Sequence, residues 1–228
     1  MRRRVEDVMT TQVVVVGADA SFKRIVRLLE AHRISAMPVV DDQGVVIGVV
    51  SEADLLAKQR YPHLHDTLGP AETLRHRAEL NKARATTAAG LMSRPPITVE
   101  PGTTVAEAAR LAAKAGVKRL PVVDDAGRPV GIVTRSDLLE VFLRTDEEIR
   151  REVTELVRPG VWATPLAVDV AVSEGVVRLR GQVQQRSLVP VLARMAEAVD
   201  GVVGVECDLS WDVDDTHPTP VAPLRLGR

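Results

Sequence analysis

The chain has 228 residues, 45% hydrophobic and 27% charged, a composition typical of a globular protein that can bury a core. Its net charge of −1 and aromatic content of 2% argue against a nucleic-acid partner, which requires basic surface and stacking rings. The single cysteine, Cys207, excludes an intramolecular disulfide. We find no signal peptide after the basic residues 2–4 and no apolar run of membrane-spanning length, so we expect a cytoplasmic protein.

The chain opens with a unit of mixed secondary structure over residues 5–56. A β-branched run at 13–16 predicts a strand, and Ser21 is a helix cap that precedes apolar residues at helical spacing. Pro38 opens a short strand, where a missing backbone donor does least harm. The turn sequence at 41–44 leads into a returning strand and a second helix. The predicted order is therefore strand, helix, strand, strand, helix.

The unit is repeated at a constant offset, because Pro121 lies 83 residues after Pro38 and begins the same motif. Of the nineteen positions in 38–56, eleven are identical in the second copy. The second copy also has a capping box that begins at Thr104. This repetition predicts two supersecondary units with equivalent hairpins, so a site argued for one copy must be argued for both.

The remaining segments do not repeat the unit. Residues 60–87 are rich in good helix formers and predict a helical linker. Over 146–212, helical spacing alternates with strand patterns, the first of which starts at Leu166, and Ser187 is predicted to cap a helix. This pattern predicts a small α+β domain. The proline-rich residues 213–228 predict a disordered tail.

Each repeat carries the same four features in the same order. These are an opening Asp-Val-Met-Thr or Gly-Leu-Met-Ser, a Pro-Val-Val-Asp strand, a turn glycine, and a closing Gly-x-x-Ser/Thr-x-x-Asp that ends at Asp54 or Asp137. Together they resemble a pair of CBS domains, often called a Bateman module. The sequence Val-Ser-Glu-Gly-Val-Val-Arg-Leu-Arg-Gly-Gln-Val at 172–183 is similar to a BON domain.

The resemblance implies an α+β fold in which two CBS units pack as a pseudo-twofold pair and a small α+β BON-like domain follows. The implied divisions are CBS domain 1 at 5–59, a helical linker at 60–87, CBS domain 2 at 88–144, the BON-like domain at 146–212 and the disordered tail at 213–228.

CBS pairs bind adenosine-containing ligands between their copies. The resemblance therefore implies AMP, ADP, ATP or S-adenosylmethionine as a regulatory ligand, with or without Mg²⁺, and no required cofactor. Asp54 and Asp137 are suited to accept hydrogen bonds from ribose hydroxyls, and Ser51 and Thr134 to bind ribose or phosphate. The alternative is that Ser51 and Thr134 only cap their helices. An apolar slot for adenine is predicted from Val14, Met37, Ile97 and Leu120, with Thr10 or Ser93 at its edge.

The two copies differ in charge near these predicted sites. The second copy has the basic residues Lys118, Arg119 and Arg135, where the first has Ser35, Ala36 and Glu52. In the family, basic residues at the place of Arg119 meet phosphates, and Arg is suited to bidentate phosphate contact. The alternative is a solvated basic patch. We therefore predict that the second copy forms the stronger nucleotide site, with ligand contacts from Thr134, Arg135, Ser136 and Asp137.

No Walker-type loop and no nucleophile–base arrangement occurs in the sequence. We therefore predict a regulatory protein rather than an enzyme, which senses the nucleotide and relays its state to the BON-like domain or to a regulated partner. We expect a homodimer through the CBS pair. The alternative function is a non-catalytic dimeric scaffold, or an adaptor for membrane phospholipid that binds through Arg178, Arg180, Arg186 and Arg194.

Two further features are interpreted as structural. Cys207 alternates with apolar residues and is predicted to lie in a core. A histidine-containing group in the linker lacks the spacing of a known metal motif, so these side chains are predicted to be solvated. The group consists of His63, His65, Asp66 and His76.

Overall fold

The computed structural model describes residues 3–60, 77–158 and 167–216, which form two compact units. The first unit is Arg4–Leu138 and contains both copies of the repeat. The second contains Arg3 and the described residues after Leu138. Both units combine helices and strands, so the predicted α+β class is confirmed.

The first unit is built on two equivalent β-hairpins. Its described helices are α1 (Phe22–His32), α2 (Glu52–Arg60), α3 (Arg77–Arg84), α4 (Ala88–Leu91), α5 (Val105–Ala115) and α6 (Arg135–Leu139). Its strands are β1 (Val16–Gly17), β2 (Ala36–Val40), β3 (Val46–Ser51), β4 (Arg119–Val123) and β5 (Pro129–Thr134). β1 pairs in parallel with β2, whereas β2–β3 and β4–β5 are antiparallel. Ala36 faces Ser51, and Arg119 faces Thr134, at the same offset of the repeat. The two predicted hairpins are therefore present.

The helix starts follow the capping residues that the sequence predicts. Ser21 Oγ accepts a hydrogen bond from the Arg24 backbone N–H at 3.4 Å and so caps α1. Thr104 forms a capping box with Glu107 at the start of α5. α5 ends at Gly116, where a φ of 67° is the left-handed conformation that glycine adopts at little cost.

Two expectations about strands are wrong in detail. Of the β-branched run at 13–16, only the last residue pairs, within β1 at Val16–Gly17, because the backbone turns at Thr11 before it. Pro38 and Pro121 lie third in their strands rather than first, because the two residues before each of them already pair with the opposite strand of the hairpin.

The two copies exchange their opening segments. Thr10 and Ile132 donate backbone hydrogen bonds to each other at 3.0 and 2.9 Å, so the opening of the first copy lies on β5 of the second. Ser93 and Val49 make the equivalent pair at 2.9 and 3.1 Å, which places the opening of the second copy on β3 of the first. The exchange is therefore reciprocal and follows the pseudo-twofold relation of the repeat.

A methionine in each opening segment packs on a glycine of the strand that it joins. Met9 covers Gly131, and Met92 covers Gly48. A Cβ atom at either glycine would overlap the methionine sulfur, so only a hydrogen fits there while the methionine stays in place. The repeated Met and Gly positions thus form a contact between the copies.

The core of the first copy depends on the same exchange. Ile25, Met37 and Val50 are fully buried, and so is Leu91, which lies on α4 in the opening of the second copy. Burying a leucine side chain of this kind stabilises a fold by about 1.5–3 kcal/mol relative to leaving it exposed. The first copy therefore does not complete its core with its own residues.

The second unit packs two helices with a three-stranded sheet. Its elements are α7 (Asp146–Leu156), β6 (Ala167–Ser173), β7 (Val176–Gln185), α8 (Leu188–Glu197) and β8 (Gly204–Val213), after a 3-10 turn at Glu140–Leu143. The strand order is β6-β7-β8, with β6 antiparallel and β8 parallel to β7. Thr145 and Glu148 form a capping box at the start of α7. The most buried core residues are Ile149, Val153, Val177, Leu179 and Leu192.

Residues 139–144 fall within the range assigned to CBS domain 2 but pack in the second unit. Arg144 donates to the Asp200 carbonyl at 2.8 Å and forms an ion pair with Glu152 at 2.9 Å. The first compact unit accordingly ends at Leu138.

The second helix and the tail differ from the sequence expectation. Ser187 precedes α8 but does not cap it, because its hydroxyl donates to Asp215 at 2.6 Å. Val213 belongs to β8, and Asp214 accepts from Arg186 at 2.7 Å, so the predicted disordered tail cannot begin at residue 213. The tail residues 217–228, the predicted strand residue Leu166 and linker residues 61–76 lie outside the described residues.

Candidate functional site

The first candidate site, called site 1, consists of Ser51, Asp54 and Ser93. Asp54 Oδ2 accepts from the Ser51 backbone N–H at 2.8 Å and from the Ser51 hydroxyl at 2.6 Å. Ser93 arrives on the exchanged opening segment and donates to Asp54 Oδ1 at 3.4 Å. Lys82 of α3 donates to the same Oδ1 and, at 2.7 Å, to Ser93 Oγ. A carboxylate has about four acceptor positions, and those of Asp54 are all used within the protein.

Two lysines hold α3 beside this site. Lys58 of α2 donates to the carbonyls of Ala83 and Ala85 at 2.9 and 3.3 Å, where the helix dipole favours a cation. The Lys82 and Asp54 side chains are only 21% and 11% exposed, so their ion pair is shielded from solvent. Lys82 could not be predicted as a site residue, since a lysine on a polar linker helix carries no sequence signal that it approaches an aspartate far away in the chain.

The second candidate site, called site 2, consists of Thr134, Asp137 and Thr10. Asp137 Oδ2 accepts from the Thr134 backbone N–H at 2.7 Å and from the Thr134 hydroxyl at 2.9 Å. The exposed Thr10 lies on β5, as Ser93 lies on β3. Within the described part of the chain, Asp137 Oδ1 has neither a hydrogen-bond nor an ion-pair partner. The two sites therefore share their capping geometry but differ at the outer carboxylate oxygen.

Arg119 connects the neighbourhood of site 2 with the first copy. It lies opposite Thr134 in the hairpin, and its Nη2 donates to Ser35 Oγ at 2.5 Å. Its Nε is buried, and no described residue accepts from it. Burial lowers the pKa of Arg119, and the negative charge of Glu52 partly offsets this effect. Because Nε is buried, the predicted phosphate contact would have to come from the Nη groups of the guanidinium.

The other basic residues near site 2 lie at the surface. Arg135 and Lys118 are exposed, and Arg135 Nε donates to the Val117 carbonyl at 3.2 Å. The backbone N–H of Arg135 donates to the Lys118 carbonyl at 3.1 Å, which ties the two segments together. Ser136 is exposed in the first turn of α6.

The residues predicted to line an adenine slot divide into two groups. Met37 and Leu120 are fully buried, so they lie in the core and offer no accessible surface to a ligand. Val14 and Ile97 are half-buried at equivalent positions of the repeat and keep part of their apolar surface accessible. The accessible apolar part of the predicted slot is therefore limited to these two side chains.

The arginines of the second unit that could meet phospholipid are mostly neutralised. Arg178 forms an ion pair with Glu206 at 2.7 Å, and Arg180 lies 3.8 Å from Asp208. Arg186 pairs with Asp214 at 2.7 Å, and its guanidinium stacks 4.9 Å from the ring centre of Trp211. The exposed Arg194 has no ion pair among the described residues. Because these carboxylates cancel most of the charge, this face is a poor match for an anionic bilayer.

Cys207 is exposed rather than part of the core, although it lies on the same face of β8 as the buried Leu209. Partial desolvation and the charge of Glu197 raise the pKa of its thiol, so it is a weak nucleophile.

Within the described ranges, no group of His, Cys, Asp and Glu could hold a metal ion. The histidine group of the linker falls outside these ranges. No helix among the described residues is long and apolar enough to cross a membrane.

Family models bear directly on these two units. The model for the CBS domain matches residues 5–61 and 88–144, and the model for the BON domain matches residues 145–212. The protein therefore belongs to the CBS domain family. Its CBS pair is followed by a BON domain, and the sequence-based identification of both is confirmed.

Individual relatives agree with this assignment. The chain is 30% identical over 149 residues to a CBS domain-containing protein of Dictyostelium discoideum, covering 65% of this chain and 97% of that protein. It is 32% identical over 154 residues to an uncharacterized protein of Methanocaldococcus jannaschii, covering 61% and 90%. Among solved structures, it resembles CBSX2 in complex with AMP, with 31% identity, a TM-score of 0.53, and coverage of 61% of this chain and 96% of that chain.

Proposed function

We propose that the protein is a regulatory sensor of adenosine nucleotides, which binds its ligand at site 2 and relays the ligand state to the BON domain or to a partner protein. The observation that carries this proposal is Asp137 Oδ1, which has no hydrogen-bond or ion-pair partner among the described residues. A ribose presents two neighbouring hydroxyl donors, and a carboxylate oxygen with two lone pairs can accept both. At site 1 the corresponding oxygen of Asp54 is already occupied.

The charge beside site 2 favours a ligand with a phosphate. The exposed Lys118 and Arg135 add positive charge near Thr134, and the half-buried Arg119 lies opposite Thr134 in the hairpin. CBSX2, which is similar to this CBS pair, has been crystallised with AMP, and this supports an adenosine nucleotide as the ligand. AMP is therefore the first ligand to test, and ADP, ATP and S-adenosylmethionine follow, with and without Mg²⁺.

A ligand at site 2 would contact both copies at once. Asp137 and Thr134 belong to the second copy, whereas Thr10 belongs to the first and is held on β5 by backbone hydrogen bonds. A ligand that binds one relative arrangement of the copies better than another shifts the population towards that arrangement. This shift is the physical basis that we propose for signalling.

The proposal is tested by isothermal titration of the full chain with AMP. Asp137→Asn removes the negative charge and keeps the shape, so we expect it to abolish measurable binding, whereas the matched Asp54→Asn should leave the affinity within about twofold of wild type. Thermal unfolding supplies a second readout, because a ligand at about 100 times its dissociation constant stabilises the folded state by about 2.7 kcal/mol. Absence of binding by any of the four nucleotides, or loss only in Asp54→Asn, would refute the assignment.

We also propose that the CBS pair self-associates. A groove between α1 and α2 leaves Val26 38% exposed and Leu56 48% exposed, and an exposed apolar face of this kind is typical of an isologous contact. Light scattering after gel filtration should give the mass of a dimer, and Leu56→Asp should give the mass of a monomer. A monomeric wild-type protein would refute this part of the proposal.

A further inference from the structure

We infer that Lys82 acts as an internal occupant of site 1 and restricts nucleotide binding to site 2; this inference rests on the proposed function and specifies how the two sites differ. The Lys82 ammonium lies where a ligand's donor groups would approach Asp54. It donates to Asp54 Oδ1 and to the Ser93 hydroxyl. It therefore connects α3 with the first copy, which carries Asp54, and with the opening segment of the second copy, which carries Ser93. No described residue occupies the equivalent position beside Asp137.

Site 1 is occupied because the hydrogen-bond acceptor positions of Asp54 are already used. A ribose hydroxyl can bind Asp54 Oδ1 only if it displaces a charged donor and the Ser93 hydroxyl, and both would then need new partners. The bond that would be lost joins two ions, whereas a ribose hydroxyl would leave the carboxylate as the only charged partner, so the exchange is unfavourable. At Asp137 Oδ1 the same hydroxyl would displace none of the described residues. A nucleotide is therefore expected to discriminate between two sites whose motifs are nearly identical.

The position of Lys82 is fixed by more than its own ion pair. Lys58 binds the carbonyls at the C-terminal end of α3, so the helix that carries Lys82 is attached to α2 independently of Asp54. The low exposure of the Lys82 and Asp54 side chains, 21% and 11%, limits solvent screening of the pair. α3 thus presents its lysine to site 1 in a defined geometry.

The test is the stoichiometry of AMP binding to the full-length chain. Wild type is expected to bind one equivalent. Lys82→Met retains the length of the side chain without its charge or donors, and should bind two. Lys114→Met is the matched control, since Lys114 is an exposed lysine on α5, and it should still bind one. Far-UV circular dichroism and the unfolding midpoint verify that each variant is folded.

Two double variants identify the site that each equivalent occupies. Lys82→Met with Asp54→Asn should return to one equivalent, and Lys82→Met with Asp137→Asn should bind one equivalent at site 1.

If wild type binds one equivalent that Asp137→Asn removes, and Lys82→Met also binds only one, the inference is wrong while the proposed function stands. Two equivalents in wild type also overturn the inference. If neither wild type nor Lys82→Met binds AMP, both proposals fail. If only Lys82→Met binds, in a manner that needs Asp54, the inference stands and the assignment of site 2 fails.

Discussion

The contact of Met9 with Gly131 provides a quantitative test of the exchanged openings. In Gly131→Ala, the new Cβ would overlap the Met9 sulfur and lie 3.0 Å from its Cγ and 3.4 Å from its Cβ. Overpacking of this kind lowers the free energy of unfolding by about 1–3 kcal/mol. Alanine also reduces the conformational entropy of the unfolded chain relative to glycine, and this effect offsets roughly 0.5–1 kcal/mol of the loss. The net expected loss in the free energy of unfolding is therefore about 0–2.5 kcal/mol.

The double-mutant cycle separates this contact from general damage to the strand. Met9→Ala alone removes packing from a half-buried side chain, but in the double variant it also removes the atoms that the new methyl group on β5 would strike. We therefore expect the double variant to be less destabilised than the sum of the single variants by about 1 kcal/mol or more.

The assay is urea unfolding followed by far-UV circular dichroism, because both tryptophans of the chain lie after residue 145 and do not report directly on the CBS pair. The control pairs Met9→Ala with Gly204→Ala, since no atom lies within 4 Å of a Cβ built at Gly204. The two positions of this pair lie in different compact units, so their effects should be additive. If Met9→Ala and Gly131→Ala are also additive to within about 0.5 kcal/mol, the contact does not couple the copies and the argument is refuted.

Three further predictions concern single side chains. Arg119→Met should lose about tenfold or more in affinity for AMP but little for adenosine, because only AMP has a phosphate; equal losses in a titration would contradict a phosphate contact. Thr145→Ala removes the cap that accepts from Glu148 and should lower the free energy of unfolding by about 1 kcal/mol, measured by tryptophan fluorescence; an unchanged midpoint would show that the cap is dispensable. Asp214 accepts from Thr216 and Arg186, which lower its pKa from 3.8 to about 2, so its stabilising effect is present above pH 3.8 and is lost as the pH falls through about 2. Asp214→Asn should accordingly lower stability near neutral pH, and its difference from wild type should vanish in strong acid; a difference that persists there would rule out this titration.

The features that the sequence predicted correctly are those with local signals. The caps at Ser21 and Thr104 have side chains that bond within one helical turn, and the hairpins have turn residues between β-branched runs. The motif aspartates lie in first helical turns, as their spacing from Ser51 and Thr134 indicates. Each of these depends on residues only a few positions apart.

The features that could not be predicted depend on distant contacts. An offset of 83 residues shows that a unit is repeated, but it does not show which copy each opening segment joins. Met37 and Leu120 were assigned to a ligand slot from their polarity and position, whereas packing of the surrounding elements buries them completely. Lys82 becomes important only when α3 folds against α2, and no periodic pattern encodes that contact.

The exchange of opening segments makes the duplication itself a requirement of the fold. A fragment ending after residue 60 would carry Met9 without Gly131, and it would lack Leu91 and Ser93, which complete its core and cover β3. Such a fragment would expose apolar surface and an unpaired strand edge, both of which promote aggregation. Two such fragments mixed together would complete their folds only if they associated with each other. Covalent fusion of the two halves ensures that each receives its missing part from a neighbour that is always present.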